Sequence, residues 1–400
     1  MNKRNLFKNV SANENNPKWN QMIKREQELY SKPGDIRSPF ERDFNRILHT
    51  NAYNRLKHKT QVFFSPENDH ISTRIEHVNY VESISYTISN YLGLNSELTR
   101  AIACGHDVGH GPFGHKGEKV LSSISQKELG KPFWHEQNGL NIVDNIELLD
   151  DYDGNKQNLN LTYAVRDGII SHCGEIDENS LKPREEVIDL KNYTKPNEYA
   201  PFTWEGCIVK MSDKISYLGR DIDDAIEEKL LTNDMLDELA NITGISSRTS
   251  NSAIINRLVT DICENSSPDE GIRLSKTAVE MMDKIKSFNY KYIYGAKRMM
   301  PSNKYFELVI NQIFDILINT YEEENTPNKI LEMSKYYPNL SNNFYNWIAK
   351  YWNIGNRTGL NNKIIFDINK KEDYIQAIIY YISGMTDKFA IDMYNEIIHF

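Results

Sequence analysis

Cysteine is scarce. Four thiols, Cys104, Cys173, Cys207 and Cys263, are spread through 400 residues with no CxxC spacing. A disulfide framework is thereby excluded, and the usage is that expected of reduced thiols in a cytoplasmic protein. Positive charge is also short. Lys and Arg number 47 against 56 Asp and Glu, giving a net charge of -9 and a pI near 5.7. Such a balance argues against a dedicated nucleic-acid binder, while leaving room for a local basic pocket that takes an anionic small molecule. Long hydrophobic runs are missing. No stretch approaches the roughly 18 apolar residues of a membrane span, and Met1–Asn20 holds no apolar run of the signal-peptide kind. Alternation of period two is scarce as well. Gln61–Phe64 and Asn158–Leu161 are the plausible short strands, so at most a minor β-hairpin is expected.

Helical periodicity fills the space these absences leave. From Ile75, apolar residues recur at Val78, Val81, Ile84, Ile88 and Tyr91, and the run closes at Gly93. A second helix is predicted over Glu97–Cys104, ending where the glycines of the next segment release the chain. A third covers Cys207–Leu230, with Ile208, Ile215, Leu218, Ile222 and Ile226 on one stripe. Ile272–Phe288, Tyr305–Tyr321, Ile330–Tyr337 and Lys371–Ile398 follow. Pro-containing breaks at 196–201, 267–268, 301 and 327 are too short to be flexible linkers. Hydrophobic residues make up 39% of the chain, ample for a large core, and an all-α, single-bodied protein is expected.

Five of the ten histidines fall between residues 77 and 135. The densest segment reads Cys104-Gly-His106-Asp107-Val-Gly-His110-Gly-Pro-Phe-Gly-His115. Arg74-Ile-Glu-His77 precedes it and Met211-Ser-Asp213-Lys214 follows. His77, His106, Asp107 and Asp213 supply two imidazoles and two carboxylates. That is enough for one metal ion with positions open to water and substrate, as in a metal-dependent hydrolase. Each has a blander reading. His77 shares a helical face with Val81, Ile84 and Ile88, as an ordinary core histidine would. Asp213 lies among Ile208, Ile215 and Leu218, where a carboxylate needs a cation, although an Arg would serve as well as a metal. His106 and Asp107 diverge by about 100° on a regular helix and converge only from its last turn.

The order His77, His106-Asp107, Asp213 resembles the HD phosphohydrolase superfamily, and the surrounding text is similar to its deoxynucleotide triphosphohydrolase (dGTPase-like) branch. Phe40–His49 and Arg55–Phe63 resemble that branch's N-terminal block, Asn158–Gly168 its middle block, and Tyr381–Ala390 a C-terminal block of bacterial members. The resemblance implies the HD helical fold with additional C-terminal helices. On it, residues 1–60 form an N-terminal helical segment contributing to the substrate pocket. Residues 61–235 form the metal-binding catalytic core, and 236–400 a helical region packed on that core.

The resemblance also implies roles. Arg74 holds the α-phosphate, Lys214 and Tyr217 contact phosphates, and Asp221 and Gln61 bind the deoxyribose 3′-hydroxyl. Tyr217 also closes the side of the sugar where a 2′-hydroxyl would sit. His110 and His115 point at the phosphates. His115 is the choice for protonating the leaving 5′-oxygen, with Glu118 orienting it. His135 is assigned acid/base or water-positioning work, with Glu136 in support. His172 is set aside as structural, and His49, His58, His70 and His399 receive no role. The cofactor is a divalent ion, Mn²⁺, Mg²⁺, Fe²⁺ or Co²⁺. The implied substrate is a dNTP, dGTP first. The implied assembly is a homo-oligomer, with a hexamer favoured over a tetramer, and an allosteric nucleotide is compatible with it. The rivals are an HD reaction on a cyclic nucleotide or (p)ppGpp, a non-catalytic nucleotide sensor, and single-stranded nucleic-acid binding in a groove between subunits. Gln61, His135-Glu136 and the Asp213, Lys214, Tyr217, Asp221 group argue against the first, the presence of every ligand and proposed acid against the second, and the net charge against the third.

Overall fold

The helix carrying His77 starts and stops where local chemistry tells it to. In the computed structural model, which describes residues 4–29, 34–64, 68–172, 180–244 and 251–399, it runs Arg74–Leu92. Glu76 folds back to accept from the Thr73 backbone N–H at 2.8 Å and from its hydroxyl. Gly93, at φ 82°, ends the helix in the left-handed conformation. The next helix, Ser96–Gly105, is capped by Asn95, whose side-chain oxygen accepts from Glu97 and Leu98 N–H at 3.0 and 3.1 Å. His106 stands directly at its end, where the sequence places it.

The Ser96–Gly105 helix packs against Pro39–Leu48, Arg74–Leu92, Tyr163–Ser171 and Trp204–Glu227, so it forms the hub of the site. One crossing is unusually close. A Cβ on Gly168 would lie 2.5 Å from Ile102 Cδ1, and only glycine lets the Tyr163–Ser171 helix approach so near. The later helices are Asn233–Thr243, Asn251–Asn265, Lys276–Asn289, Met300–Ile318, Thr326–Met333, Pro338–Ile348, Lys371–Ser383 and Asp387–Ile398. Among the described residues the sheet is a single antiparallel pair, Leu148–Asp150 with Lys156–Asn158, Leu149 facing Gln157. The all-α expectation with one small hairpin is met.

Apolar side chains gather in two clusters. One takes Ile102, Val120, Ile169, Ile310 and Ile378, among others, and the second takes Ile88, Ile208, Ile215, Leu218, Ile222, Leu258 and Ile285. The Trp204–Glu227 helix turns its isoleucine stripe to the second cluster, except that Ile226, expected on that stripe, is 41% exposed. It lies in the last turn, beyond the part of the helix that is covered. Among the described residues no helix is long and apolar enough to cross a membrane. Cys104, Cys207 and Cys263 are free and buried, and Cys173 lies outside the described residues.

Four expectations need correction. Asn158–Leu161 is not a strand beyond its first residue, since the strand found is Lys156–Asn158. Gln61–Phe64 is not a strand: the Thr60 N–H is taken by the Asp387 carboxylate at 2.8 Å, and the segment keeps a single bridge, Thr60 to Thr73. Lys371–Ile398 is two helices, broken at 384–386, because Thr386 caps a new one by accepting from Phe389 N–H at 3.2 Å. The helix expected from Ile272 begins at Lys276, since Ser275 caps it and Ile272 instead pairs its backbone with Leu181 at 2.8 and 2.9 Å.

Candidate metal centre and active site

Packing brings His77, His106, Asp107 and Asp213 together from two helices, Arg74–Leu92 and Trp204–Glu227, and from the turn after a third, Ser96–Gly105. His77 Nε2 lies 2.9 Å from Asp213 Oδ1, and His106 Nε2 lies 3.9 Å from the same oxygen. Asp107 sits 3.9 Å from His77 Nε2 and 3.7 Å from His106 Nε2. One ligand atom each from His77, His106 and Asp213 falls within a sphere suited to a single cation, all within 4.8 Å of one another. The donor chemistry fits a metal. His106 Nδ1 donates to the Ala103 carbonyl at 2.6 Å, which fixes the tautomer and leaves a lone pair on Nε2. That Nε2 is buried and has no hydrogen-bond partner, a condition costing about 1–3 kcal/mol unless something takes the lone pair. Burial disfavours the charged form of His77, but the hydrogen bond and charge of Asp213 outweigh it and raise the pKa. The same contact holds Asp213 down at about 2 against its own burial.

Asp107 belongs to two groups at once. Its Oδ2 receives Arg74 Nη1 at 2.8 Å and its Oδ1 faces His110 Nε2 at 3.0 Å. Burial opposes its charge, yet His110 and Arg74 hold it well below the usual carboxylate range. His110 in turn stacks on His135, ring centroids 3.7 Å apart and 18° from parallel. Gly109 makes that stack possible, because a Cβ there would lie 1.9 Å from the His135 carbonyl oxygen. Glu118 completes the second group. Its oxygens lie 3.1 Å from His135 Nδ1, 3.3 Å from His115 Nδ1 and 3.8 Å from His110 Nδ1, and it accepts the His135 backbone N–H at 3.0 Å. Despite burial it is held well below its ordinary pKa, His135 being the largest opposing influence. Glu136 is buried, 3.4 Å from His135 Nδ1. The His115 side chain is 69% exposed, at the open edge of this group.

Of the residues expected to meet substrate, Arg74 and Gln61 lie together beside the histidine group, and Asp221 is close enough to feel the charges of His77 and Arg74. Arg74 is 1% exposed, and its Nε and Nη2 have no hydrogen-bond partner. A Cβ added to Gly114, next to His115, would lie 3.2 Å from the Gln61 carbonyl and 3.6 Å from Arg74 Nη2, so the three are neighbours. Gln61 is buried with Oε1 unpartnered, as is Oδ1 of Asp221. Lys214 and Asp221 are buried and Tyr217 half-buried, so their stripe is no solvated surface. His172, set aside in the sequence, stands against the site. Its Nδ1 donates to the Ile169 carbonyl at 2.7 Å and its ring meets that of His106 edge-on at 5.0 Å. Burial, then the neighbouring His106 and His135, lower its pKa to about 3, so it stays neutral.

Tyr294 was missed altogether. The Lys276–Asn289 helix continues as a π-helical turn over Tyr290–Tyr294, and that turn delivers the Tyr294 hydroxyl to Asp221 Oδ2. Aromatic spacing alone carries no sign of this. Burial, only partly offset by the Tyr294 hydrogen bond, lifts Asp221 from an ordinary 3.8 to about 7. A carboxyl raised in this way stabilises the fold fully below about pH 4, where folded and unfolded chains both hold the proton. That stability is lost as pH rises through about 7. Asp221→Asn keeps an acceptor for Tyr294 and cannot ionise. In metal-free protein its melting temperature relative to the unchanged chain is expected to climb by several degrees between pH 5 and pH 8. Calorimetry at both pH values checks this, and a pH-independent difference would show that Asp221 is not the titrating group.

Comparison with known proteins adds the following. Residues 74–218, the stretch from Arg74 past Tyr217, match the HD domain family. A deoxyguanosinetriphosphate triphosphohydrolase-like protein of Caldanaerobacter subterraneus is 32% identical over 91% of this chain and 86% of its own length. One from Desulfatibacillum aliphaticivorans is 34% identical over 72% of this chain and 76% of its own. Another from Rickettsia bellii is 30% identical over 94% and 96%.

Proposed function

Because this chain belongs to the HD-domain family of deoxyguanosinetriphosphate triphosphohydrolase-like proteins, we propose that it hydrolyses dNTPs, dGTP first, to deoxynucleoside and tripolyphosphate. At the coarser level it is a metal-dependent HD phosphohydrolase. The observation that carries the finer reading is Arg74. A buried guanidinium, pinned by one nitrogen to Asp107 and with Nε and Nη2 unpartnered, calls for an anionic oxygen beside the metal ligands.

His77, His106, Asp107 and Asp213 would hold the divalent ion, which when bound polarises a phosphoryl oxygen and lowers the pKa of water. The chain's own groups do the rest. Arg74 binds the α-phosphate, and Lys214 and Tyr217 bind the remaining phosphates. Asp221 and Gln61 bind the 3′-hydroxyl, which gives its one proton to a buried unpartnered acceptor, Asp221 Oδ1 or Gln61 Oε1. Tyr217 excludes a 2′-hydroxyl. Water attacks the α-phosphorus, the P–O5′ bond breaks, and His115 gives its proton to O5′. Glu118 holds His115 in place at 3.3 Å. His110 is a poor donor for that step, because burial, then Arg74 and His135, push its pKa well down. His135 and Glu136 orient the water or the phosphate from the buried side.

Intact tripolyphosphate is the expected inorganic product, in a one-to-one ratio with deoxynucleoside. Phosphorus NMR of a completed reaction with dGTP checks it. Pyrophosphate with dNMP, or single phosphates, would mean that a different bond is cut.

A further inference from the structure

The segment Tyr381–Ala390, notable in the sequence and without a part in the chemistry above, lies underneath the catalytic turn. Asp387 is 5% exposed and opens the last helix, where its carboxylate spans two distant strands of chain. Oδ2 accepts the Thr60 backbone N–H and Oδ1 the Phe113 backbone N–H, each at 2.8 Å. Thr60 adjoins Gln61, and Phe113 lies between His110 and His115.

Neighbouring contacts reinforce the same turn. Lys59, 2% exposed, donates through Nζ to the His110 carbonyl and, at 2.9 Å, to the Ser383 carbonyl. Asn138 Nδ2 donates to the Gly109 carbonyl at 2.7 Å and to Ser383 Oγ at 3.1 Å. The turn needs holding. Phe113 is a non-glycine residue at φ 62°, followed by Gly114 at φ 57°, a conformation costing on the order of 1–3 kcal/mol that persists only where the surroundings over-determine it. Its ring is fixed by Phe306, stacked at 4.3 Å and 3° from parallel, and its N–H by Asp387.

We propose that Asp387 is a positioning residue for the hydrolysis: its two oxygens set the spacing between the Gln61 segment, which meets the sugar, and the Phe113 turn, which aims His110 and His115. The inference rests on the roles given above to Gln61 and His115. A carboxylate suits the task because it is acceptor-only and can face two N–H donors at once. An amide in its place turns an NH₂ group toward one of them.

Asp387→Asn tests this isosterically. Turnover is expected to fall about a hundredfold, the loss that a displacement of about 1 Å brings to a reacting constellation. KM should rise no more than a few-fold, and the metal content per chain should match that of the unchanged enzyme. Asp387→Glu keeps the charge and both acceptors one methylene further out, and is expected to recover part of the loss, to within about tenfold of the unchanged kcat. Should the Asn variant not fold, the Glu variant decides alone, since it too must be slower. Unchanged kcat in either folded variant overturns the proposal. So does loss of metal and of melting temperature in parallel with kcat, which would reduce Asp387 to a fold-stabilising role. The unchanged enzyme, assayed alongside, keeps this apart from the substrate reading. If it releases no tripolyphosphate from any dNTP, that reading falls. The positioning role, defined by what Gln61 and His115 do in that reaction, then falls with it, whereas an active unchanged enzyme with equally active variants overturns the positioning role alone.

Discussion

Asp107→Ala is expected to empty the centre of metal and to lower turnover about a thousandfold or more. Two losses combine. The carboxylate lies 3.7 and 3.9 Å from the two candidate imidazole ligands, and Asp213, the other carboxylate beside them, is itself a candidate ligand and leaves one negative charge where there were two. It is also the partner of Arg74 at 2.8 Å and of His110 at 3.0 Å, so its removal leaves a buried guanidinium uncompensated. Breaking one side of a buried pair costs about 3–5 kcal/mol, and the apo-protein should melt lower as well. Asp107→Asn separates the effects, because the amide keeps an oxygen for Arg74 but not the charge. It should retain more stability and no more metal. Elemental analysis of the purified variants, with turnover on dGTP, reads both. Full occupancy with normal turnover would remove Asp107 from the ligand set.

His115→Ala is expected to lower kcat by about 10²–10⁴, the range for loss of a general acid, with metal content and melting temperature unchanged. His115 suits this clean separation because its side chain is 69% exposed and packs little. Its removal therefore leaves the folded state nearly untouched. Glu118→Gln should lower kcat less but should also destabilise, since Glu118 is tied to His115, to the His135 ring and to the His135 backbone N–H. Single-turnover rates with dGTP and saturating metal isolate the chemical step. A His115→Ala enzyme at full speed would move the proton donor elsewhere in the histidine group.

The make-up of the candidate centre is local in the chain because residue type and helical phase carry it. His77 on an apolar helical face, Asp213 in an isoleucine stripe and His106-Asp107 ahead of three glycines each pose a local problem that one cation would solve. The helix starts are equally local: Asn95 and Thr203 accept from N–H groups two or three residues on, and Thr73 donates its own N–H to Glu76. Helix phase likewise put Lys214, Tyr217 and Asp221 on one stripe.

What only the tertiary structure decided is which way such stripes face and what they meet. Burial of Lys214 and Asp221 depends on helices far along the chain, and Tyr294 reaches Asp221 across 73 residues through a π-turn that no periodicity announces. Asp387 lies inside what the sequence reads as one helix, Lys371–Ile398, with nothing to mark it. Its bonds to Thr60 and Phe113 span 327 and 274 residues. His172, read as structural from the sequence, has its ring edge-on to that of His106 at 5.0 Å, a contact that depends on how the Tyr163–Ser171 and Ser96–Gly105 helices cross. Residue type and period, which act over a turn or two, determined the helices, their caps and the candidate ligands. Close packing, which depends on side-chain volumes across the whole core, decided how Asp107 comes to face Arg74, His110 and the candidate imidazole ligands at once.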